Sequence, residues 1–374
     1  MKEHRHKAIL EIDLNAMKTN LSIFKTYLRK ETKVMVMVKA NAYGSSNIEI
    51  ARLLDKCNGD GYLGVAYADE GVELRRAGIK SPIFVMNVQA VDFENLVKYD
   101  LQPEIYSLSI LEKLVLFAER HNTSIIAHMK LETGMNRLGF VEEELDMALS
   151  LVLKSTGIKI KSVLTHLVAS AEQKHDDFTR NQVTKFERMY DVIVSRLGYR
   201  PVRHVLNTGG IVRFPEYQFE MVRLGIGIYG VDVTGEIQPS LAVVNHFKGV
   251  VSQLKKVKRG MTIGYSRSGV ASSDMTIAVV NIGYADGFRR QAGNGNFAVL
   301  INGEKASTIG NVCMDMMMVD VTHVAGVSEG DEVEVFGKNL PVQALADCFG
   351  TISYEVFTGI SARVRRIFIG QNII

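Results

Sequence analysis

Apolar residues occur in short runs that recur along roughly the first 230 residues of the chain. The runs lie at 34–38, 62–66, 83–87, 103–106, 125–131, 160–167, 203–208 and 220–228. Most of them lack the strict alternation of apolar and polar residues that a half-exposed strand shows. Continuous apolar runs are typical of parallel strands covered on both faces. The pattern therefore predicts eight buried parallel strands.

Stretches with helical spacing of apolar residues separate these runs. In the first, Asp13 can cap a helix over 13–30 whose apolar face is formed by Leu14, Met17, Leu21, Phe24 and Leu28. The others lie at 47–57, 68–77, 108–121, 142–155 and 176–197. Strands alternating with helices over this length predict an α/β fold, a (β/α)8 TIM-like barrel. A doubly wound sheet shows the same alternation, and periodicity does not separate the two.

The pattern changes after residue 236. Segments such as "FKGVVSQLKKVKRG" and "NFAVLINGEKAST" are short strands punctuated by Arg-Gly, Asn-Gly and Glu-Gly, which predicts a mostly β domain built from hairpins. The boundary is expected within 232–240. We therefore predict a barrel domain over 1–236 and a β-strand-rich domain over 237–374. The first ~10 residues are candidates to pair with the C-terminal domain.

Composition narrows the class of protein. Of 374 residues, 47% are hydrophobic and 23% charged, which is typical of a globular chain. The formal net charge of +3 is too small to favour nucleic acid or an anionic membrane as partner. Three scattered cysteines and nine dispersed histidines predict neither a disulfide framework nor a metal site. Neither a signal peptide nor a membrane span is evident, so we expect a cytoplasmic protein.

Polar residues occur where the predicted barrel strands end, and the active site of a barrel lies at that end. They are Lys39, Lys130, His166, Asn207, Thr208 and Arg223. Each alone has a structural alternative, such as a solvated strand end or a core histidine, but together they resemble a site.

The string "GIGIYG" at 225–230 matches a dinucleotide-binding pattern, yet a loop rather than a helix follows it. A glycine-rich turn after the last barrel strand instead favours a phosphate held by backbone N–H groups.

Tyrosines form a second group of candidates, although each alone is equally typical of a half-buried position on a sheet face. They are Tyr43, Tyr265, Tyr284 and Tyr354, and three of the four lie in the predicted β domain.

Eight motifs taken together resemble those of the alanine racemase family, pyridoxal-phosphate-dependent enzymes with a barrel and a β domain. They are "VKANAYG" (38–44), "HMKLETGMNRLGF" (128–140), "LTHLVAS" (164–170), "HVLNTGG" (204–210), "MVRLGIGIYG" (221–230), "IGYADGFRR" (282–290), "GNVCMD" (310–315) and "TISYE" (351–355). The motifs occur in the family's order and span nearly the whole chain.

The resemblance implies a cofactor, pyridoxal 5'-phosphate, and two catalytic residues. Lys39 would form the Schiff base and act as a base on one face, because a desolvated amine is easier to deprotonate. Tyr265 would act on the opposite face, supplied by the other subunit of a homodimer. His166 would assist the phenol. Arg223 would face the pyridine nitrogen, which then stays neutral because arginine does not readily donate a proton.

The resemblance also implies the remaining contacts. The cofactor would be bound by Tyr43, Asn207, Thr208, the backbone of Gly225 and Ile226, and Tyr354. The substrate carboxylate would be bound by Arg137 and by the backbone N–H of Met314 from the partner subunit. Lys130, which the family often carries as a carbamate, would orient Arg137. Tyr284 and Tyr354 would narrow the entrance and favour a side chain as small as a methyl.

The expected function is the interconversion of L-alanine and D-alanine by two-base proton transfer, supplying D-alanine for peptidoglycan. Racemisation of another small amino acid, such as serine, is the nearest alternative. A non-catalytic barrel that carries the cofactor would lack the β domain, and for a barrel-type decarboxylase Arg223 is the wrong partner of the ring.

Overall fold

The computed structural model describes residues 8–370, which divide into two compact units. One unit comprises 18–42 and 47–241, and the other comprises 8–17, 43–46 and 242–370. The break in the chain thus falls between 241 and 242, a few residues after the predicted boundary. Residues 1–7 and 371–374 of the two predicted domains lie outside the described residues.

The described chain begins with strand β1 (Ile9–Asp13) and helix α1 (Leu14–Thr26). The Asp13 carboxylate accepts the backbone N–H groups of Asn15 and Ala16, both at 2.9 Å. These bonds satisfy two N–H groups that have no partner inside the helix, so the predicted cap is confirmed.

Eight parallel strands form the sheet of the barrel unit. They are β2 (Lys33–Met37), β3 (Tyr62–Val65), β4 (Ile83–Val85), β5 (Leu101–Ile105), β6 (Ile125–Lys130), β7 (Ile158–Leu164), β8 (Val202–His204) and β9 (Met221–Leu224). Their order is β8-β7-β6-β5-β4-β3-β2-β9. The N–H of Arg223 in β9 donates to the carbonyl of Leu206, just after β8, at 2.9 Å. The sheet therefore nearly closes, and the predicted TIM-like barrel is confirmed.

Helices lie between these strands. They are α2 (Asn47–Cys57), α3 (Ala68–Arg76), α4 (Phe93–Lys98), α5 (Leu108–Arg120), α6 (Leu145–Lys154), α7 (Asp176–Leu197) and α8 (Thr208–Arg213). The predicted helix at 142–155 begins with a 3-10 turn, Glu142–Glu144, ahead of α6. Helices α4 and α8 were not predicted, because six residues are too few to show a helical period.

The second unit is built on an eight-stranded sheet and a small two-stranded one. Its strands after β1 are β10 (Asn245–Val257), β11 (Thr262–Ile263), β12 (Gly269–Val270), β13 (Met275–Val280), β14 (Ala298–Ile301), β15 (Glu304–Ser307), β16 (Met317–Asp320), β17 (Glu332–Phe336) and β18 (Arg365–Ile369). Strand β1 pairs antiparallel with β10 and parallel with β18. The mostly β C-terminal domain is confirmed, with two short helices that were not predicted, α9 (Val342–Cys348) and α10 (Ser353–Thr358).

Three further observations concern residues 8–370. None of their helices combines the length and apolar character needed to cross a membrane. Within this range no three His, Cys, Asp or Glu side chains are grouped as a metal site requires. The three cysteines are free thiols.

Candidate active site

Four of the predicted strand-end residues lie at the same end of the barrel unit. Lys39 and His166 each lie two residues beyond a strand (β2 and β7), Lys130 is the last residue of β6, and Arg223 lies within β9. Burial lowers the pKa of Lys39, and the Arg137 guanidinium adds to this effect, while the carboxylates of Glu104 and Glu70 oppose it. A lowered pKa makes this amine a better nucleophile and base.

The backbone after Lys39 forms a left-handed turn. Ala40, Asn41, Ala42 and Tyr43 have φ values of 53°, 53°, 49° and 54°. Left-handed backbone costs a residue with a Cβ roughly 1–2 kcal/mol, so consecutive residues persist there only when their surroundings fix them. The turn therefore imposes an abrupt change of chain direction directly after Lys39.

Glu70 at the start of α3 fixes this turn. Its carboxylate accepts the N–H of Ala40 at 2.6 Å and the N–H of Ala66, just after β3, at 2.7 Å. The Asn41 side chain in turn accepts the N–H of Asn47, at the start of α2, at 3.0 Å. Because the turn is hydrogen-bonded to Glu70 of α3 and to Asn47 of α2, the backbone that follows Lys39 is tied to the rigid part of the barrel.

The guanidinium of Arg223 is buried, and four of its five N–H groups are hydrogen-bonded. Nη1 donates to Nδ1 of His204 at 2.9 Å and to its carbonyl at 2.6 Å, and Nη2 donates to the carbonyls of Thr165 and Val205 at 2.6 and 3.0 Å. Among described residues, the Nε–H has no acceptor. Burial lowers the pKa of Arg223 to about 10, with Glu104 opposing it, so the group remains a cation at neutral pH.

A chain of buried hydrogen bonds extends from Arg223 across the barrel. Because arginine can only donate, Nδ1 of His204 accepts, and its Nε2–H donates to Ser162 at 2.8 Å. The Ser162 hydroxyl then donates to Nδ1 of His128 at 2.6 Å, and Nε2–H of His128 donates to Gln102 at 3.0 Å. Arg223 thus sets the tautomers of both imidazoles. Sequence reasoning did not find this chain.

Burial keeps three imidazoles of the barrel neutral. It lowers the pKa of His128 to about 3, and it places the pKa values of His166 and His204 well below the usual one. For His166 the cations Arg223 and Arg137 reinforce the effect. A neutral imidazole can accept a proton, as the role predicted for His166 requires.

Backbone N–H groups converge where the sequence predicted a phosphate. The Thr208 hydroxyl, at the start of α8, accepts the N–H of Gly225 at 3.0 Å. The N–H groups of Gly209 and Ile226 are buried and donate to no described residue. Unpaired buried N–H groups are rare, and together with a hydroxyl they suit an anion.

The side chain of Asn207 holds this segment in place. Its oxygen accepts the N–H of Gly210 at 3.0 Å and the hydroxyl of Ser170 at 2.7 Å, and its amide donates to the carbonyl of Leu167 at 3.1 Å. Asn207 therefore caps α8, and direct contact of its side chain with a cofactor stays a prediction.

Two of the predicted tyrosines meet within the second unit. The rings of Tyr43 and Tyr354 are 5.8 Å apart between centroids. Burial raises the pKa of Tyr43, with a contribution from Tyr354, and raises the pKa of Tyr354 to about 12. Both therefore keep their hydroxyl protons at neutral pH and can donate hydrogen bonds.

Tyr265 is 70% exposed, on a turn with unusual backbone geometry. The next two residues, Ser266 and Arg267, have φ values of 58° and 53°. The Asn311 amide donates to the Tyr265 carbonyl at 3.0 Å. A strained backbone that presents an exposed aromatic ring is typical of a functional position.

Tyr284 and Met314, predicted near the substrate, lie on adjacent segments of the second unit. The N–H of Tyr284 donates to the carbonyl of Cys313, and the N–H of Ala285 to that of Met314, both at 3.0 Å. A Cβ on Gly283 would lie 2.3 Å from the Met314 carbonyl oxygen, so this approach requires glycine. The N–H of Met314 donates to no described residue and is available to a ligand.

Arg137 and Lys130 differ in their surroundings. Arg137 is exposed, and no described residue forms a hydrogen bond or ion pair with it. Lys130 is buried and its Nζ lies 3.0 Å from Oε1 of Glu104. Sequence reasoning missed Glu104, although a carboxylate inside the buried strand "LQPEI" was a signal.

Comparison with known proteins agrees with this architecture. Residues 12–233 match the family description "Alanine racemase, N-terminal domain", and residues 244–368 match "Alanine racemase, C-terminal domain". The chain is 34% identical to the alanine racemase of Methanococcus maripaludis, covering 97% of this chain and 99% of that one. It is 35% identical to that of Halothermothrix orenii, covering 95% of each.

Solved structures agree as well. An alanine racemase of Clostridium difficile superposes with a TM-score of 0.91 at 33% identity, over 97% of this chain and 96% of that one. The Bacillus anthracis enzyme, described with bound L-Ala-P, gives 0.90 at 28% identity, over 98% and 97%. The chain belongs to the alanine racemase family. It is an amino-acid racemase, an isomerase.

Proposed function

We propose that this chain interconverts L-alanine and D-alanine, with pyridoxal 5'-phosphate as cofactor. The observation that carries the proposal is Lys39: an amine with a lowered pKa, at the end of a barrel strand, on a backbone fixed by Glu70. The names of the relatives support alanine as substrate, and they do not favour the serine alternative.

The residues present fit the cofactor. When bound, pyridoxal phosphate supplies an electron sink that makes the α-proton of an amino acid acidic. Lys39 would hold it covalently, and the N–H groups of Gly209 and Ile226 with the Thr208 hydroxyl would hold its phosphate. The free Nε–H of Arg223 would donate to the ring nitrogen. Tyr43 and Tyr354 are further hydroxyl donors in the second unit.

The state of Arg223 limits the chemistry. Its guanidinium is fixed by four hydrogen bonds, and with a pKa of about 10 it offers a hydrogen bond rather than a proton at neutral pH. A ring nitrogen facing it stays unprotonated, so the electron sink is weaker than with an acidic partner. We expect the weaker electron sink to suppress side reactions of the carbanion, such as transamination.

Two groups move the proton. Nζ of Lys39 removes or returns it on one face of the substrate, and the phenol of Tyr265 of the partner subunit does so on the other. The neutral imidazole of His166 accepts the phenol proton, because a phenol acting at neutral pH needs a neighbouring base.

The substrate carboxylate would be bound by Arg137 and by the N–H of Met314 of the partner subunit. Arg137 lacks a partner among described residues, which leaves its paired donors available for a carboxylate. Tyr284 and Tyr354 would exclude larger side chains.

A homodimer, a role in peptidoglycan supply and a cytoplasmic location belong to the same proposal. The dimer is supported by exposed apolar side chains in the unit that carries Tyr265, among them Met261, Val270, Met314 and Met316.

The test is exchange of the α-proton for deuterium, followed on both enantiomers of alanine. Wild type should exchange and interconvert both, and Lys39→Ala should do neither. Tyr265→Phe should lose interconversion yet exchange the one enantiomer whose α-proton faces Lys39, because one base still operates. If Tyr265→Phe racemised at the wild-type rate, the two-base mechanism would be wrong.

A further inference from the structure

The ion pair between Glu104 and Lys130 lies inside the barrel. Glu104 is 0% exposed and Lys130 3% exposed, and the pair joins strands β5 and β6. A buried charge is tolerated when it is paired, and here each partner supplies the other's counter-charge. Oε2 of Glu104 has no hydrogen-bond partner among the described residues.

Glu104 is a buried acidic group among several cations. It acts against the lowering of the Lys39 pKa. Burial raises the pKa of Glu104 itself, and the cations Lys130, Arg223 and Arg137 act against that rise. The charges that act on nearby His166 are all cations. A carboxylate at this position therefore balances a cluster of positive charge that would otherwise repel itself.

The resemblance to the family leaves open whether Lys130 is carbamylated. Carbamylation of an ammonium first removes one proton. The lone pair of the resulting neutral amine then bonds to the carbon of CO2 and a second proton leaves, so a cation becomes an anion. Beside Glu104, the reaction would have to deprotonate a paired ammonium and then place a second anion next to the first. Both changes are unfavourable in a buried site.

We infer that Glu104 holds Lys130 as an unmodified ammonium and is itself the buried anion toward which Arg137 is positioned. Glu104 is thus a positioning residue. The inference rests on the proposed function only for the role of Arg137 in substrate binding. The charge state of Lys130 is a separate claim.

The charge state is tested on the holoenzyme by 13C NMR in buffer containing 13C-bicarbonate. Wild type should show no carbamate signal that depends on Lys130, with Lys130→Arg as the control. Glu104→Gln should acquire the signal, and the double variant with Lys130→Arg should lose it. Glu104→Asp keeps the charge and should resemble wild type.

A wild-type carbamate signal that Lys130→Arg abolishes would overturn the inference. A Glu104→Gln protein without the signal would overturn the claim that Glu104 prevents the modification. If the Glu104→Gln variant does not fold, the comparison of wild type with Lys130→Arg still shows whether Lys130 of the wild type is carbamylated. This readout does not depend on turnover, so it remains decisive even if the proposed function fails.

Kinetics test the positioning role. In CO2-free buffer, Glu104→Gln should raise the KM for alanine about tenfold with a smaller change in kcat, because Arg137 loses its orienting anion. Added bicarbonate should restore part of the affinity by forming the carbamate on Lys130, and wild type should not respond to it. A bicarbonate-dependent KM in wild type would contradict the inference.

Discussion

At the scale of single residues, the chemistry of the barrel depends on how positive charges are distributed around Lys39. Burial alone lowers the pKa of this amine, and Arg137 and Lys130 lower it further, while Glu104 and Glu70 limit the change. The same arginine that we assign to the substrate carboxylate therefore also tunes the nucleophile. Binding an anionic substrate would cancel part of that effect at the moment when Lys39 must act as a base.

Removing the charge of Arg137 should raise the pKa of Lys39. In Arg137→Gln, loading of the apoenzyme with pyridoxal phosphate, followed by absorbance, should require a higher pH than in wild type, because the neutral amine is the reactive form. Arg120→Gln, at the end of α5, is the matched control and should not move the pH profile. An unchanged profile in Arg137→Gln would show that burial alone sets the pKa.

The left-handed turn after Lys39 makes a prediction about stability. Ala40 is exposed and has a φ of 53°, so Ala40→Gly removes backbone strain without removing a packed methyl. We expect the variant to be more stable by about 1 kcal/mol and slower in turnover, because Lys39 is less firmly positioned. Ala90→Gly, in the right-handed turn Ala90–Asp92, should instead destabilise by roughly 0.5–1 kcal/mol. Urea unfolding measures the free energy of unfolding of both variants. If both substitutions changed it in the same direction, the proposed backbone strain at Ala40 would be refuted.

At the scale of elements, five barrel strands are joined by one chain of side-chain hydrogen bonds. Gln102 lies in β5, His128 in β6 and Ser162 in β7, while His204 ends β8 and Arg223 lies in β9. Each donor points the same way, so no member can reverse without breaking the others. The chain therefore fixes Arg223 more firmly than its own carbonyl contacts would alone.

Because His128 must stay neutral in this chain of hydrogen bonds, we predict that the barrel loses stability in acid. The pKa of His128 is about 3 in the folded state and 6.5 in its ordinary state, so between these values only the unfolded chain takes up the proton. The contribution of neutral His128 to the free energy of unfolding is complete above pH ~6.5. Below that pH it falls by about 1.4 kcal/mol per pH unit. His128→Gln should therefore show a shallower loss of unfolding free energy from pH 6.5 to 4.5 than wild type, in urea titrations.

The control is His121→Gln, which changes an exposed histidine at the end of α5 and should leave the slope as in wild type. If His128→Gln and wild type lost stability at the same rate, His128 would already be protonated in the folded protein. The tautomer order from Arg223 to Gln102 would then be wrong.

The sequence could predict elements and strand ends because both follow from periodicity along one chain. The eight strands, the long helices and the positions of Lys39 and Lys130 depend on the spacing of apolar residues and on where apolar runs stop. Glu104 and the His128 chain depend on which side chains face inward and on the register between neighbouring strands, neither of which a single run contains. The strain beside Tyr265 depends on φ values that composition does not reveal.

At the scale of the whole molecule, the proposed bases belong to different units: Lys39 to the barrel and Tyr265 to the β unit. We assign the second base to the partner subunit, so each complete site draws on two chains. A closed dimer in which each copy gives to and receives from the other has two such sites. A mixed dimer of two inactive variants can therefore contain one complete site, which would not be possible if each site lay within one chain.

Subunit mixing distinguishes the two arrangements. Lys39→Ala and Tyr265→Phe should each be inactive in racemisation as homodimers. In a heterodimer of the two, one site combines an intact Lys39 from one chain with an intact Tyr265 from the other. Random exchange of equal amounts of the two variants should therefore restore about a quarter of wild-type turnover, because half the dimers are mixed and each mixed dimer has one complete site of two.

A mixture of Lys39→Ala with a Lys39→Ala/Tyr265→Phe double variant is the control and should stay inactive. If the first mixture also stayed inactive although mass spectrometry showed heterodimers, both bases would have to come from one chain.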